Sequence, residues 1–295
     1  MKLPWINLTA IACLACAPAV FAQGQQSQQQ SQQQSQQSQQ QTTAPQQTSK
    51  PSLANPLQDV FPQTPPPVDP KEEAAYKAFL DMKPATPAEN DAHIKAGEDF
   101  IKNYPKSRYL EPVYSRLANA YLDKNDADKM CDAADKALAL NPNDITVLIP
   151  VGEAIPRSDP KSPKFAERLG KAEQYEQHAL EVLKTLTKPP ALTDAQFTEV
   201  KNNAVAEAHS GLGLIYFDER KYDLSSTELQ SATGGSPTLQ ATNEFVLGLD
   251  LVNLKKYPDA VKAFDTCSQI SSPLQDRCKK ASGETKAREG AAPKP

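Results

Sequence analysis

Residues 206–237 read AEAHSGLGLIYFDERKYDLSSTELQSATGGSP, and the fold follows from this stretch. His209, Leu212, Gly213 and Tyr216 are spaced to share one face of a helix, and Ser225, Leu229 and Ala232 share one face of the next. A glycine inside an apolar helix face lets a second helix come close, and Pro237 cannot continue the second helix. The pattern recurs. Tyr114, Leu117, Ala118 and Tyr121 are followed by Met130, Ala134, Ala137 and Pro142; Glu244, Leu247, Gly248 and Leu251 by Ala260, Phe264, Cys267 and, one place late, Pro273. Leu148, Val151, Gly152 and Ile155 form a further first half. Ala118 to Gly152 is 34 places, Gly213 to Gly248 is 35, and Gly152 to Gly213 is 61, one 34-place unit plus 27. Self-similarity at this period marks an array of helical repeats.

The order of residue types (large, then apolar and small, then aromatic on a first helix; small, bulky, small on a second; a closing proline) resembles the tetratricopeptide repeat family. The resemblance implies an all-α fold, a short right-handed α-solenoid of helix-turn-helix repeats. Its units fall at about 71–105, where the pattern is degraded, and at 111–144, 145–187, 206–239 and 241–274. The unit after Asn143 is stretched by the 27-place excess. Part of this is a loop from Pro156 to Pro163, and the rest lengthens helices over 164–186 and 193–219, with Thr193 as N-cap. One long, protruding inserted hairpin is expected. Residues 274–288 read as a polar capping helix and 289–295 as a disordered tail.

Ahead of the repeats, residues 1–22 (MKLPWINLTAIACLACAPAVFA) read as a secretory signal peptide: a charged start, a short apolar segment and small residues before Gln23. Cys16 follows a poor match to a lipidation signal. Residues 23–70 are first Gln-rich and then Pro-rich, a disordered tether with Leu57, Val60 and Phe61 as isolated apolar residues. The expected location is therefore periplasmic or extracellular. Beyond the leader no apolar run reaches the about 18–20 residues that a spanning helix needs, so no transmembrane helix is expected in the mature chain. The chain carries a net charge of −4, and removal of Lys2 with the leader leaves 31 − 36 = −5, which excludes a broadly basic surface for nucleic acid.

No catalytic, cofactor or metal motif emerges. His93, His178 and His209 lack a second histidine at helical spacing, and His209 fills the bulky core place of its unit. Gly211-Leu212-Gly213 lies inside a helix, where close packing explains it better than a phosphate loop does. Asp123, Asp126, Asp128 and Asp132 lack the order of a calcium loop and read as a solvated turn. After processing, Cys131, Cys267 and Cys278 remain. Cys267 and Cys278 flank the break at 271–273, and export permits a disulfide between them; the core place of Cys267 favours two buried thiols instead.

In the family that the chain resembles, first helices line a concave groove at the second, fifth, ninth, twelfth and thirteenth places. The resemblance therefore implies a groove of Ser115, Asn119, Leu122 and Asp123, then Ser210, Leu214, Phe217 and Asp218, then Phe245, Leu249, Val252 and Asn253. The Lys of a carboxylate clamp is missing from the fifth places (Ser115, Ile149, Ser210, Phe245). An apolar stripe remains, which either takes a protein or peptide partner, takes the chain's own tether, or is buried by tight curvature of the array. The leading expectation is a non-catalytic protein-protein interaction module exported to the cell envelope. The alternatives are a structural component that self-assembles through its Gln tract or hairpin, and an enzyme with an unrecognised site.

Overall fold

The computed structural model describes residues 69–291; the leader, nearly all of the tether and residues 292–295 lie outside them. Ala74 and the described residues after it belong to one compact unit. The described residues are helical without a strand: α1 Pro70–Asp81, α2 Pro87–Asn103, α3 Leu110–Asp123, α4 Ala127–Leu140, α5 Ile145–Ala154, α6 Phe165–Thr185, α7 Asp194–Asp218, α8 Tyr222–Ser231, α9 Pro237–Asn253, α10 Tyr257–Gln269 and α11 Gln275–Ala291. A 3-10 turn, Ile155–Arg157, extends α5. Helices α3 and α4, α5 and α6, α7 and α8, and α9 and α10 pack as consecutive pairs.

Three of these pairs are made by one device. The fifteenth place of the unit, Asn125, Arg220 or Lys255, has left-handed backbone with φ near 60° (57°, 63° and 60°). The next N–H then reaches back to the carbonyl of the eleventh-place residue: Asp126 to Tyr121 at 3.0 Å, Lys221 to Tyr216 at 2.8 Å and Lys256 to Leu251 at 2.8 Å. This is a Schellman-type closure, and it satisfies carbonyls that a helix end leaves bare. The reversed chain lays the second helix across the small residue of the first. A Cβ on Gly213 would collide with Leu229, and one on Gly248 with Phe264.

Neighbouring units are latched by the eleventh-place tyrosines. Tyr121 Oη donates to Glu98 Oε1 at 2.6 Å, and Tyr216 Oη to Glu173 Oε1 at 2.9 Å. Second helices are joined by ion pairs: Lys171 to Asp135 at 2.7 Å, and Arg168 to Asp128. One apolar core runs from Phe79 to Tyr216, and a second joins α9, α10 and α11.

Helices α6 and α11 depart from the sequence expectations, whereas Pro237 and the cysteine pair follow one of the readings offered. Pro237, which ends one unit, starts the next: it opens α9 at its first turn, with Ser236 as N-cap, because proline's missing N–H is harmless there. Helix α6 does not protrude: Leu169, Ala172, Ala179 and Leu183 bury one whole side of it. Only the first turns of α7, 194–202, are mostly exposed, behind the Thr193–Gln196 capping box. Helix α11 runs past residue 288 to Ala291. Of the two readings open for Cys267 and Cys278, the structure has the disulfide, with their Cα atoms 5.8 Å apart, because the core place of Cys267 faces α11. Cys131 is a buried free thiol.

A non-glycine residue in left-handed backbone costs about 1–2 kcal/mol, part of which glycine returns as chain entropy. Arg220→Gly and Lys255→Gly are each expected to stabilise the array by about 0.5–1 kcal/mol in urea unfolding.

Candidate functional site

The first helices α3, α5, α7 and α9 pack side by side. The residues expected to line their shared face divide into three groups. Leu214 and Phe245 are buried at 4% and 3% exposure, so they are packing residues and cannot meet a partner. Leu214 packs with Leu229 and Val246, and Phe245 lies against Phe264 and beneath Arg277. Leu122, Phe217, Leu249 and Val252 are half-buried, while Asp123, Asp218 and Asn253 are exposed. The apolar stripe is thus narrower than its sequence spacing suggests. Units packed closely enough to bury the fifth place take part of the stripe into their own interface.

Asn119 has a structural task. Pro150 sits inside α5 and lacks the N–H that would bond the Thr146 carbonyl. Asn119 Nδ2 donates to that carbonyl at 3.1 Å, and to Ser115 O at the same distance. Ser115 is buried and donates to Asp144 at 2.8 Å. Ser210 is also buried and donates to Asn243 at 2.6 Å. These polar groups of the expected groove join one first helix to the next.

The histidines and aspartates singled out in the sequence do not converge. His93 is buried against the Phe79 ring, His178 bonds Asn143, and His209 Nδ1 lies 2.7 Å from Glu228 Oε2. Asp126 caps α4, and Asp128 pairs with Lys164 and Arg168. Behind the face, α6, α7 and α8 border a cleft of about 480 Å³, lined by Leu180, Leu183, Val205 and Leu212 with the His209–Glu228 pair at its edge. Among the described residues, no group of three or more His, Cys, Asp and Glu could hold a metal ion.

What does converge is a set of carboxyls at the seam between α5 and α7. Glu176 enters from α6, is fully buried, and has no hydrogen-bond partner on either oxygen. It fits only because glycines face it from both sides. A Cβ on Gly152 would lie 2.6 Å from its Oε1, and one on Gly211 closer still. Glu153 of α5, held by Arg157 Nη2 at 2.5 Å, and Glu207 of α7 border the same seam. Burial holds Glu176 well above the usual carboxylate range. Glu153 and Glu207 add to that, and Arg157 opposes it. Burial, then Glu153, pushes Glu207 up to about 7. Asp123 and Asp218 are raised too, chiefly by partial burial; both keep open sides where water screens them.

Sequence reasoning passed over these residues. Glu207 occupies the second place of its unit, and Glu153 and Arg157 the ninth and thirteenth places of the stretched one. The same register extended to those places would have found them. Glu176 belongs to a second helix, and no periodicity points to it.

No sequence profile of a known protein family matches this chain, and no curated protein matches it. Among solved structures, the chain is similar to a thermophilic TPR protein of Thermus thermophilus, at 14% identity and a TM-score of 0.44, over 73% of this chain and 99% of that one. The helical-repeat architecture stands on the recurrent turns and latches described above. No helix among the described residues is long and apolar enough to cross a membrane.

A buried acid with a raised pKa stabilises the fold when protonated. That stability is full below the unfolded value of 4.5 and is lost as pH rises through the folded value, about 7 for Glu207. The array is therefore expected to weaken from pH 4.5 to pH 8. Urea midpoints of wild type and Glu176→Gln, measured at each pH, should show the variant losing less over that range.

Proposed function

We propose that this chain is a non-catalytic protein-interaction module whose first-helix face holds a segment of a partner protein. The observation that carries this reading is the composition of that face. Half-buried apolar side chains (Leu122, Phe217, Leu249 and Val252) lie beside exposed Asp123, Asp218 and Asn253, while the histidines are scattered through other parts of the array. Helices latched unit to unit offer a rigid surface, so little ordering entropy opposes binding there. The leader-like residues 1–22 support work outside the cytoplasm, in the periplasm or beyond the cell.

Asp218 and Asn253 sit at the exposed thirteenth places, where new charge does little harm to folding. The double variant Asp218→Arg with Asn253→Arg is expected to keep its helicity and to change stability by less than about 0.5 kcal/mol. In pull-downs from an envelope extract it should lose the proteins that wild type retains. Retention of the same proteins by the variant would contradict the reading.

A further inference from the structure

We propose that the seam between α5 and α7 is a binding site for one organic cation, an ammonium or guanidinium group carried on a side chain of the partner segment. This rests on the reading that a segment lies along the first-helix face.

Three observations converge. Glu207 is half-buried at the seam and has no hydrogen bond or ion pair among the described residues. Glu153, opposite it on α5, is already matched by Arg157, so the unmatched acid is on the α7 side. Behind both, the Glu176 side chain runs from α6 between the two first helices, and its buried carboxyl has both oxygens unused. Leaving a buried carboxyl unpaired is costly, and an apolar side chain of the same length would pack there at less cost. Two glycines, Gly152 and Gly211, are nonetheless placed to make room for it. Asn90, His93, Asn243 and Asp250 also leave buried polar atoms unpaired, but among the described residues Glu176 is the buried carboxyl with neither oxygen used, and that expense marks a group kept for binding rather than for folding.

The chemistry of the occupant follows from the donor set. The carboxyls are not grouped closely enough to hold a metal ion, which needs several oxygens at one short distance. A side-chain cation needs one charged acceptor and some polar backing, which Glu207 and Glu176 supply. Phe217 lies ten places along α7 from Glu207, about 15 Å away, so half-buried Phe217 and Leu249 would meet other residues of the segment rather than the cation's own stem. In this role Glu207 contacts the cation, and Glu176 is a positioning residue that holds the seam open behind it. The arriving charge also draws the proton from Glu207 into solvent, so binding releases protons below about pH 7 and tightens as pH rises toward it.

The test uses the full chain with carbon-13 in its glutamate carboxyls, titrated with n-butylammonium, with n-butanol as the neutral isostere, and with calcium. Butylammonium is expected to shift the Glu207 signal and lower its titration midpoint, whereas butanol does neither. Glu207→Gln should weaken butylammonium binding about tenfold and abolish the proton release. Glu176→Met should weaken it too while raising the urea midpoint, a combination that a purely structural Glu176 would not give. Three results overturn the proposal: no response of Glu207 to butylammonium, equal binding by Glu207→Gln, or calcium occupying the seam in preference to the ammonium. The proposal and the interaction module can fail separately. Butylammonium at the seam with no partner on the face would leave the site standing and remove the adaptor. Partner capture that is insensitive to Glu207→Gln would do the reverse.

Discussion

A first helix that ends on a left-handed residue turns the chain back so that the second helix falls across its small residue. Asn125, Arg220 and Lys255 set that geometry, and Ala118, Gly213 and Gly248 accept the close approach. The other contacts follow from it. Tyr121 and Tyr216 end up facing the carboxylates of the preceding unit, and the first helices come to lie side by side. The unit built on α5 lacks this turn and continues into a 3-10 segment and a loop. There the packing is taken over by Pro150, Asn119 and the long helix α6, and there the costly carboxyl is housed.

Much of this architecture is legible in the residues. The period of 34 places, the small residue on each first helix and the N-cap at Thr193 are all local features, and local features leave a pattern in sequence. What escaped depended on neighbours distant in sequence. Asn119 looks like a ligand-binding amide until Pro150, 31 places later, leaves a carbonyl that needs it. Leu214 and Phe245 look like groove residues until the next unit closes over them. The pairing of Cys267 with Cys278 was legible as one of two options; choosing it over two thiols needed the direction in which α11 leaves its turn, which Ser-Ser-Pro at 271–273 does not specify.

The seam also shows how stability and recognition can oppose each other within one fold. An array whose small residues serve close packing elsewhere uses Gly152 and Gly211 to admit a carboxyl that nothing in the fold satisfies. The fold tolerates it because the acid can stay neutral, which ties the strength of α5–α6–α7 packing to pH. A neutral acid beside an unmatched Glu207 is poised to gain from positive charge, whereas the paired carboxylates of the outer surface, such as Asp135 with Lys171, are already satisfied. The acidic character that matters is therefore local, and the overall charge of −4 says little about it.

The central claim is that the α5–α7 seam receives the partner's positive charge. Carbodiimide coupling on the native envelope fraction joins a carboxylate directly to a touching amine, and it works for any partner that brings a lysine to the seam. The account predicts Glu207 joined to a lysine of one recurrent foreign protein. Links confined to this chain's own lysines, or spread evenly over exposed acids such as Glu199 and Glu284, would contradict it.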